Sequence, residues 1–506
     1  MHDWLSHRAM VSPEKAALRF GGRTWSYTDL QQQVSRMCSR LAAAGFRRGQ
    51  HVALLMPNRP EFVFVIHALA RLGVVLVPLN VRLTPAELRW QVRQSDCHWL
   101  LCDRTTEAAA VQLELAPSQV VSVDRPASGQ VLPLNRFPDA DPENWQQRPL
   151  NLAATQGIIF TSGTTGQPKG AMLSFGNHFY SATASAFRLG MMPDDGWLAC
   201  MPLYHVGGLA VVLRCCLYGI MLDLHPRFDP DAVLLSIRTA TVTHISVVPT
   251  MLARLLDMGL DEFSRGCSLR CVLVGGAALT EPLLGLASSI NLPIASTYGL
   301  TEAASQVATT YLTSNPASPG SVGKPLLFTA VQVVNEAGTP VPAGEIGEIA
   351  VSGPTVMQGY YNQPQATARA LRDGTLFTGD LGYLDADGDL WVVQRRADLI
   401  VTGGENVYPA EVEAVLRRHP AVADACVAGI PDAEWGQRVG ALVQLLPQST
   451  ASHRQLTDFC RQYLAGYKIP RYFQLVDTLP LTASGKVQRD AVQRQLSQAA
   501  QFGAAD

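Results

Sequence analysis

The chain is poor in charge. Only 16% of its 506 residues are Asp, Glu, Lys or Arg, against about 25% in an average soluble domain. Forty basic and 42 acidic residues nearly cancel, leaving a formal charge of -2. A protein built around nucleic-acid backbones needs a strongly basic face, and this balance does not supply one. Long disorder needs low hydrophobicity and high net charge, which a 47% apolar content excludes. Ten cysteines are too few for a disulfide scaffold, none forms a CxxC pair, and no His-rich cluster adjoins them. A structural zinc site is therefore not expected, and the thiols read as reduced, mostly buried and cytoplasmic. The start, Met1-His2-Asp3-Trp4-Leu5, has no basic segment followed by an apolar one, so no signal peptide is expected. Long apolar runs are also missing. Phe62 to Leu79 contains His67, Arg71 and Pro78, and Val206 to Leu222 is cut by Arg214. Neither is the span of about 20 apolar residues that a bilayer requires.

What is present is alternation of strand and helix signals. His51 to Met56 is a short apolar run ended by the turn cluster Pro57-Asn58-Arg59-Pro60. Glu61 to Leu72 has helical periodicity with Gly73 as its stop, and Val74 to Leu79 reads as the next strand. Thr84-Pro85-Ala86-Glu87 reads as a helix start, with an N-cap, a proline at the first position and an acidic third position. Trp99 to Asp103, Thr243 to Val248 and Cys271 to Val274 are further strands. This order predicts an α/β fold with parallel sheets and covering helices. Gln119 to Pro149, rich in Pro, Asp, Ser and Asn, reads as a surface connection. After about Gly320, short alternating runs such as Val331 to Val334 and Glu348 to Val351 predict a small antiparallel, barrel-like β region. From Asp398 a compact α+β unit is expected, with a helix at Pro409 to Arg418 and a strand at Ala425 to Ile430. A prior of about 150 residues per domain allows roughly three folding units.

The strongest local signal is Thr161-Ser162-Gly163-Thr164-Thr165-Gly166-Gln167-Pro168-Lys169-Gly170, directly after the apolar run Gly157 to Phe160. Its glycines and hydroxyls let backbone N–H groups and side chains surround phosphate oxygens. A Walker A loop fails on spacing, because Lys169 is followed by glycine rather than Ser or Thr. The decapeptide resembles the phosphate loop of the adenylate-forming superfamily, which includes acyl-CoA synthetases, luciferases and peptide-synthetase adenylation domains. Six further segments resemble that superfamily in chain order. They are Pro202-Leu203-Tyr204-His205 beside the acyl pocket, the adenine turn Gly275-Gly276-Ala277 and the nucleotide and magnesium segment Thr297-Tyr298-Gly299-Leu300-Thr301-Glu302. Then follow the ribose segment Thr378-Gly379-Asp380, the thiol-tunnel loop Gly403-Gly404-Glu405-Asn406-Val407-Tyr408-Pro409, and Ser484-Gly485-Lys486 with the C-terminal catalytic lysine. Arg395 matches a second ribose contact just before the interdomain hinge. The hinge position itself is Ala397, where many members carry Asp or Lys.

The resemblance implies an N-terminal domain over 1–394, itself built of subdomains, and a mobile lid domain over 395–506. It implies ATP, Mg2+ and coenzyme A as ligands. A carboxylate attacks the α-phosphate of ATP, and charge must be neutralised there and on departing pyrophosphate. Lys486 then acts as a mobile cation, Glu302 helps hold Mg2+, and Asp380 accepts from ribose hydroxyls. Thr161 and Lys169 flank the phosphate loop, and His205 is a candidate in the acyl pocket. Coenzyme A supplies the thiol, so no cysteine of the chain is required.

Arg214 lies inside the apolar run Gly208 to Gly219. A guanidinium there is costly unless paired. It is either a structural ion-pair partner, a snorkelling side chain, or a bidentate anchor for a second substrate carboxylate. Ser174 to Ala182, Leu224 to Asp229, Thr301 to Gln306 and the start Asp3-Trp4-Leu5 with Arg8-Ala9 resemble the o-succinylbenzoate–CoA ligases of menaquinone and phylloquinone synthesis. That resemblance implies 2-succinylbenzoate as substrate, with Arg214 on its aromatic carboxylate and His205 and Ser305 as further pocket contacts. A medium- or long-chain fatty acyl-CoA synthetase, an aryl-CoA ligase, and an adenylation enzyme loading a carrier protein stay open at this point, as does a homo-oligomeric state.

Overall fold

The computed structural model describes residues 3–502, apart from 140–148, 162–167, 240–241, 261–267, 278, 280, 311–319, 395–398 and 481–487. The chain divides into two compact units. One comprises Met1–Val81, Gln91–Ile159 and Gly170–Val393; the other comprises Arg82–Trp90, Phe160–Lys169 and Gln394–Asp506.

The larger unit carries two mainly parallel sheets. One has eight strands, with His51–Leu55, Val75–Pro78 and Cys97–Cys102 at its centre. All three pair in parallel, and their residues are almost all buried. Near-continuous apolar strands of this kind need helices on both faces. The segment read as a surface connection departs from that reading. Val120–Ser122 and Leu132–Pro133 extend this sheet in parallel at its edge, and Val120, Val121 and Ser122 are buried.

The second sheet has nine strands. Its members that matter for the site are β1 (Gly196–Ala199), β2 (Ile294–Leu300) and β3 (Ser305–Thr309). β2 closes the parallel core, and β3 turns back antiparallel to it. Two helices pack beside them, α1 (Phe175–Leu189) and α2 (Val206–Tyr218). α1 starts in a capping box: the Ser174 hydroxyl accepts from the Asn177 N–H at 3.0 Å, and the Asn177 side chain accepts from the Ser174 N–H at 2.7 Å. The Asn177 amide also donates to the Pro354 and Val356 carbonyls, both at 2.8 Å, which ties the helix start to that loop. α2 ends at Gly219 in the left-handed region (φ 71°). Its last carbonyls are satisfied from afar, by Arg8 on those of Cys216 and Leu217 and by the Tyr27 hydroxyl 3.0 Å from that of Cys215. A five-stranded antiparallel sheet follows, including Ala330–Val334, Gly347–Ser352 and β4 (Thr375–Leu384).

The smaller unit holds a separate core around the long antiparallel pair Val422–Asp432 and Gly436–Leu445, with Tyr472–Val476 added in parallel. The expected helix is present as Pro409–Leu416. Arg489 grips Glu413 through its two terminal guanidinium nitrogens, at 2.9 and 3.2 Å, and Glu413 also accepts from the Val427 N–H at 3.0 Å. Among the described residues, nine cysteines are free and buried. No helix among them is long and apolar enough to cross a membrane.

Candidate functional site

The nucleotide-type residues of the larger unit gather around β2 and β4. Tyr298 is almost fully buried, and its hydroxyl donates to Asp380 at 2.6 Å. Strand alternation puts Tyr298 on the inner face of β2, and β4 brings Asp380 to it from 82 residues away. Asp380 is locally fixed because its N–H donates to the Thr378 hydroxyl at 3.1 Å, while that hydroxyl donates to the Ile349 carbonyl at 2.7 Å. Thr297 lies 2.7 Å from the Thr309 hydroxyl, and its methyl fills the space a Cβ at Gly275 would need. Gly276 takes a left-handed φ of 85°, and Ala277 continues that turn.

Gly299 faces β3 so closely that an added Cβ would collide with the Ser305 carbonyl oxygen. Only glycine permits that approach. The short turn Thr301–Ala303 follows, and Ala304 and Ser305 both have positive φ, 52° and 103°. The Ser181 hydroxyl of α1 donates to the Ala304 carbonyl at 2.8 Å and so anchors this turn. Glu302 is 4% exposed and accepts from the Tyr360 hydroxyl at 2.7 Å. Its own carbonyl accepts from the Met357 N–H at 2.8 Å. Tyr360 was not legible as a site residue: it lies 58 residues from Glu302 and has no motif of its own.

The acyl-side candidates stand on α2 and its entry. Tyr204 is buried, and His205, the residue preceding α2, packs its ring edge-on at 4.7 Å. Arg214 is 2% exposed, and its Nε and Nη2 have no hydrogen-bond partner. Among the described residues no carboxylate pairs with it. Burial lowers its pKa, only partly opposed by Tyr218, Cys215 and Cys271. Its guanidinium sits 5.8 Å from the centre of the Trp197 ring on β1. Among the described residues, therefore, no ion pair of Arg214 is observed, and its burial is not that of a snorkelling side chain. Ser305 opens β3, which packs against both α1 and α2.

In the smaller unit, Thr161 ends the strand Thr155–Thr161 and Lys169 begins Lys169–Ser174. Gly403 and Gly404 form the turn before Glu405–Val407, and Glu405 is 4% exposed. Ser162, Gly163, Thr164, Thr165, Gly166, Arg395, Ala397 and Lys486 lie outside the described residues.

Residues 5–361 match the AMP-binding enzyme family, and residues 411–486 match the AMP-binding enzyme C-terminal domain. The chain is 42% identical over 494 residues to the 2-succinylbenzoate--CoA ligase of Geobacillus kaustophilus (strain HTA426), covering 98% of each chain. A solved double mutant of o-succinylbenzoate CoA synthetase from Bacillus subtilis, bound with its product analogue OSB-NCoA, is 38% identical. It covers 98% of each chain, with a TM-score of 0.90. The same Bacillus subtilis enzyme in complex with the acyl-adenylate intermediate OSB-AMP is 39% identical, covers 97% of this chain and 98% of its own, and has a TM-score of 0.74.

Proposed function

Because the chain belongs to the AMP-binding enzyme family, we propose that it is an ATP-dependent acid–thiol ligase that converts 2-succinylbenzoate to its coenzyme A thioester. In the first half-reaction a carboxylate oxygen attacks the α-phosphorus of ATP. The new P–O bond forms as the bond to the β-phosphate oxygen breaks, and pyrophosphate leaves. In the second, the sulfur of coenzyme A attacks the acyl carbonyl. The C–S bond forms, the C–O bond to AMP breaks, and the thiol proton passes to solvent.

The roles divide among this chain's residues as follows. The adenine turn Gly275-Gly276-Ala277 and Asp380, oriented by Tyr298, hold the nucleoside. The hydroxyl-rich loop from Thr161 to Lys169 surrounds the phosphates, and Arg395 makes a second ribose contact. Lys486 bridges the incoming carboxylate and the α-phosphate. Gly403, Gly404 and Glu405 border the path of the thiol. The lid that carries these last residues and Lys486 begins near residue 395.

Mg2+ fits the donor set. Among the described residues no three His, Cys, Asp or Glu side chains converge as a cage. Glu302 offers a single oriented carboxylate, and Mg2+ is commonly held by one or two carboxylates plus substrate phosphates. The ion would supply charge neutralisation at the phosphates.

The observation that carries the substrate assignment is Arg214: a buried cation with two unpartnered nitrogens and no counter-charge among the described residues. A fatty acid gives no reason for a cation in an acyl pocket, whereas 2-succinylbenzoate brings a second carboxylate. His205 and Ser305 complete the acyl contacts. The buried, free cysteines support a reducing, cytoplasmic setting. A pyrophosphate-release assay over a panel of acids tests the assignment. Preference for 2-succinylbenzoate is expected, and preference for octanoate would overturn it.

A further inference from the structure

Within reach of the Arg214 charge, a second buried polar group has a nitrogen with no partner among the described residues. His178 of α1 is 2% exposed, and its Nε2 makes no hydrogen bond. The Tyr218 hydroxyl of α2 donates to the Ala182 carbonyl of α1 at 2.5 Å. Arg214 lies one turn before Tyr218, and His178 lies one turn before Ala182. Arg214 and His178 thus each stand one turn from that contact between the two helices, and the Arg214 charge acts on His178. Ser181, on the same stretch of α1, is bonded to the Ala304 carbonyl beside Ser305.

Both groups are expensive to leave as they are. A buried, unbonded ring nitrogen and a buried, unpaired guanidinium each call for a partner. One anionic acceptor of bidentate shape satisfies both. Burial and the neighbouring positive charge hold the His178 pKa down to about 3. The imidazole is therefore neutral and, in its Nε2–H tautomer, donates without adding a second buried cation. One positive charge then meets one carboxylate.

We propose that His178 is a specificity-determining residue that donates a hydrogen bond to the aromatic carboxylate held by Arg214. This inference rests on the reading of Arg214 as that carboxylate's anchor. The donor pair favours an acceptor-only, planar anion over an amide or an ester at the same position. A buried water joining the two groups is the competing occupant.

The test is the ratio of kcat/KM for 2-succinylbenzoate to that for 4-oxo-4-phenylbutanoate, which lacks the aromatic carboxylate, in the full-length protein. In His178→Leu the ratio is expected to fall at least about 10-fold, the worth of one hydrogen bond to a charged group. His178→Gln, which restores an N–H donor, should recover most of it. A general folding defect would depress both acids together and leave the ratio at the wild-type value. An unchanged ratio in His178→Leu, or no recovery in His178→Gln, overturns the inference and leaves the water as occupant. If the wild-type protein does not distinguish the two acids, the Arg214 reading fails and this inference fails with it.

Discussion

Arg214→Met separates a functional cation from a structural one, because the two predict opposite signs for stability. The guanidinium is 2% exposed and two of its nitrogens are unpartnered. Holding an ion out of water costs several kcal/mol even after relaxation. The contact with Trp197, at 5.8 Å, returns about 0.5–2 kcal/mol. Methionine keeps much of the aliphatic packing, so desolvation dominates the difference. Ligand-free Arg214→Met is expected to be more stable by about 1–4 kcal/mol. For a unit of this size that is a rise of about 1–5 °C in Tm. The same change leaves the aromatic carboxylate of the substrate without its partner. Truncating one side of a buried charge pair costs about 2–5 kcal/mol, or roughly 30- to 5,000-fold in kcat/KM. 4-Oxo-4-phenylbutanoate should lose far less. Thermal melting without ligand and pyrophosphate release with the two acids read both effects. A lower Tm together with equal losses for both acids would refute the reasoning and make Arg214 a structural residue.

Three further outcomes are expected. Lys486→Ala should abolish adenylation while sparing thioester formation from supplied acyl-adenylate, and equal loss in the two half-reactions would count against a lid that serves them separately. Tyr360→Phe removes the donor to Glu302 and should raise the Mg2+ concentration needed for half-maximal adenylation by about 10- to 100-fold; an unchanged Mg2+ titration would remove Tyr360 from the site. Asp223 is buried, which opposes ionisation, yet Arg19 at 2.9 and 2.8 Å and His225 hold its pKa at about 2, below the ordinary 3.8. A depressed carboxylate pKa stabilises the fold above the unfolded value and loses that stabilisation as pH falls. The stability gap between wild type and Arg19→Met, followed by urea unfolding, should therefore be full above about pH 4 and close toward pH 2; a gap independent of pH would show that Arg19 acts by packing alone.

What the sequence made legible depended on whether a signal was local. Arg214 stood out because a charge inside an apolar run is rare in a chain with so few charges, and it is buried as that pattern predicts. The helix start at Thr84 follows from side chains three residues apart, and the structure shows the Glu87 N–H bonded to the Thr84 hydroxyl; the capping box at Ser174 was not read from the sequence. By contrast, the edge strands Val120–Ser122 and Leu132–Pro133 are three and two residues long. That is too short for any period to show, so the stretch read as a plain connection. Tyr360 meets Glu302 only because Gly359–Tyr360 adds antiparallel to the strand Lys169–Ser174, a pairing that no local pattern announces. His178 falls inside the Ser174 to Ala182 segment but carries no signal of its own in the sequence. Its significance comes from the contact of α1 with α2, which brings it under the influence of the Arg214 charge.

The central claim is that this chain joins 2-succinylbenzoate to coenzyme A through an adenylate. The most direct measurement incubates the purified protein with ATP, Mg2+, coenzyme A and 2-succinylbenzoate and follows products by mass spectrometry. One AMP and one pyrophosphate are expected for each succinylbenzoyl-CoA formed, and acyl-adenylate should accumulate when coenzyme A is withheld. ADP and phosphate in their place, or an adenylate that coenzyme A does not discharge, would contradict the account.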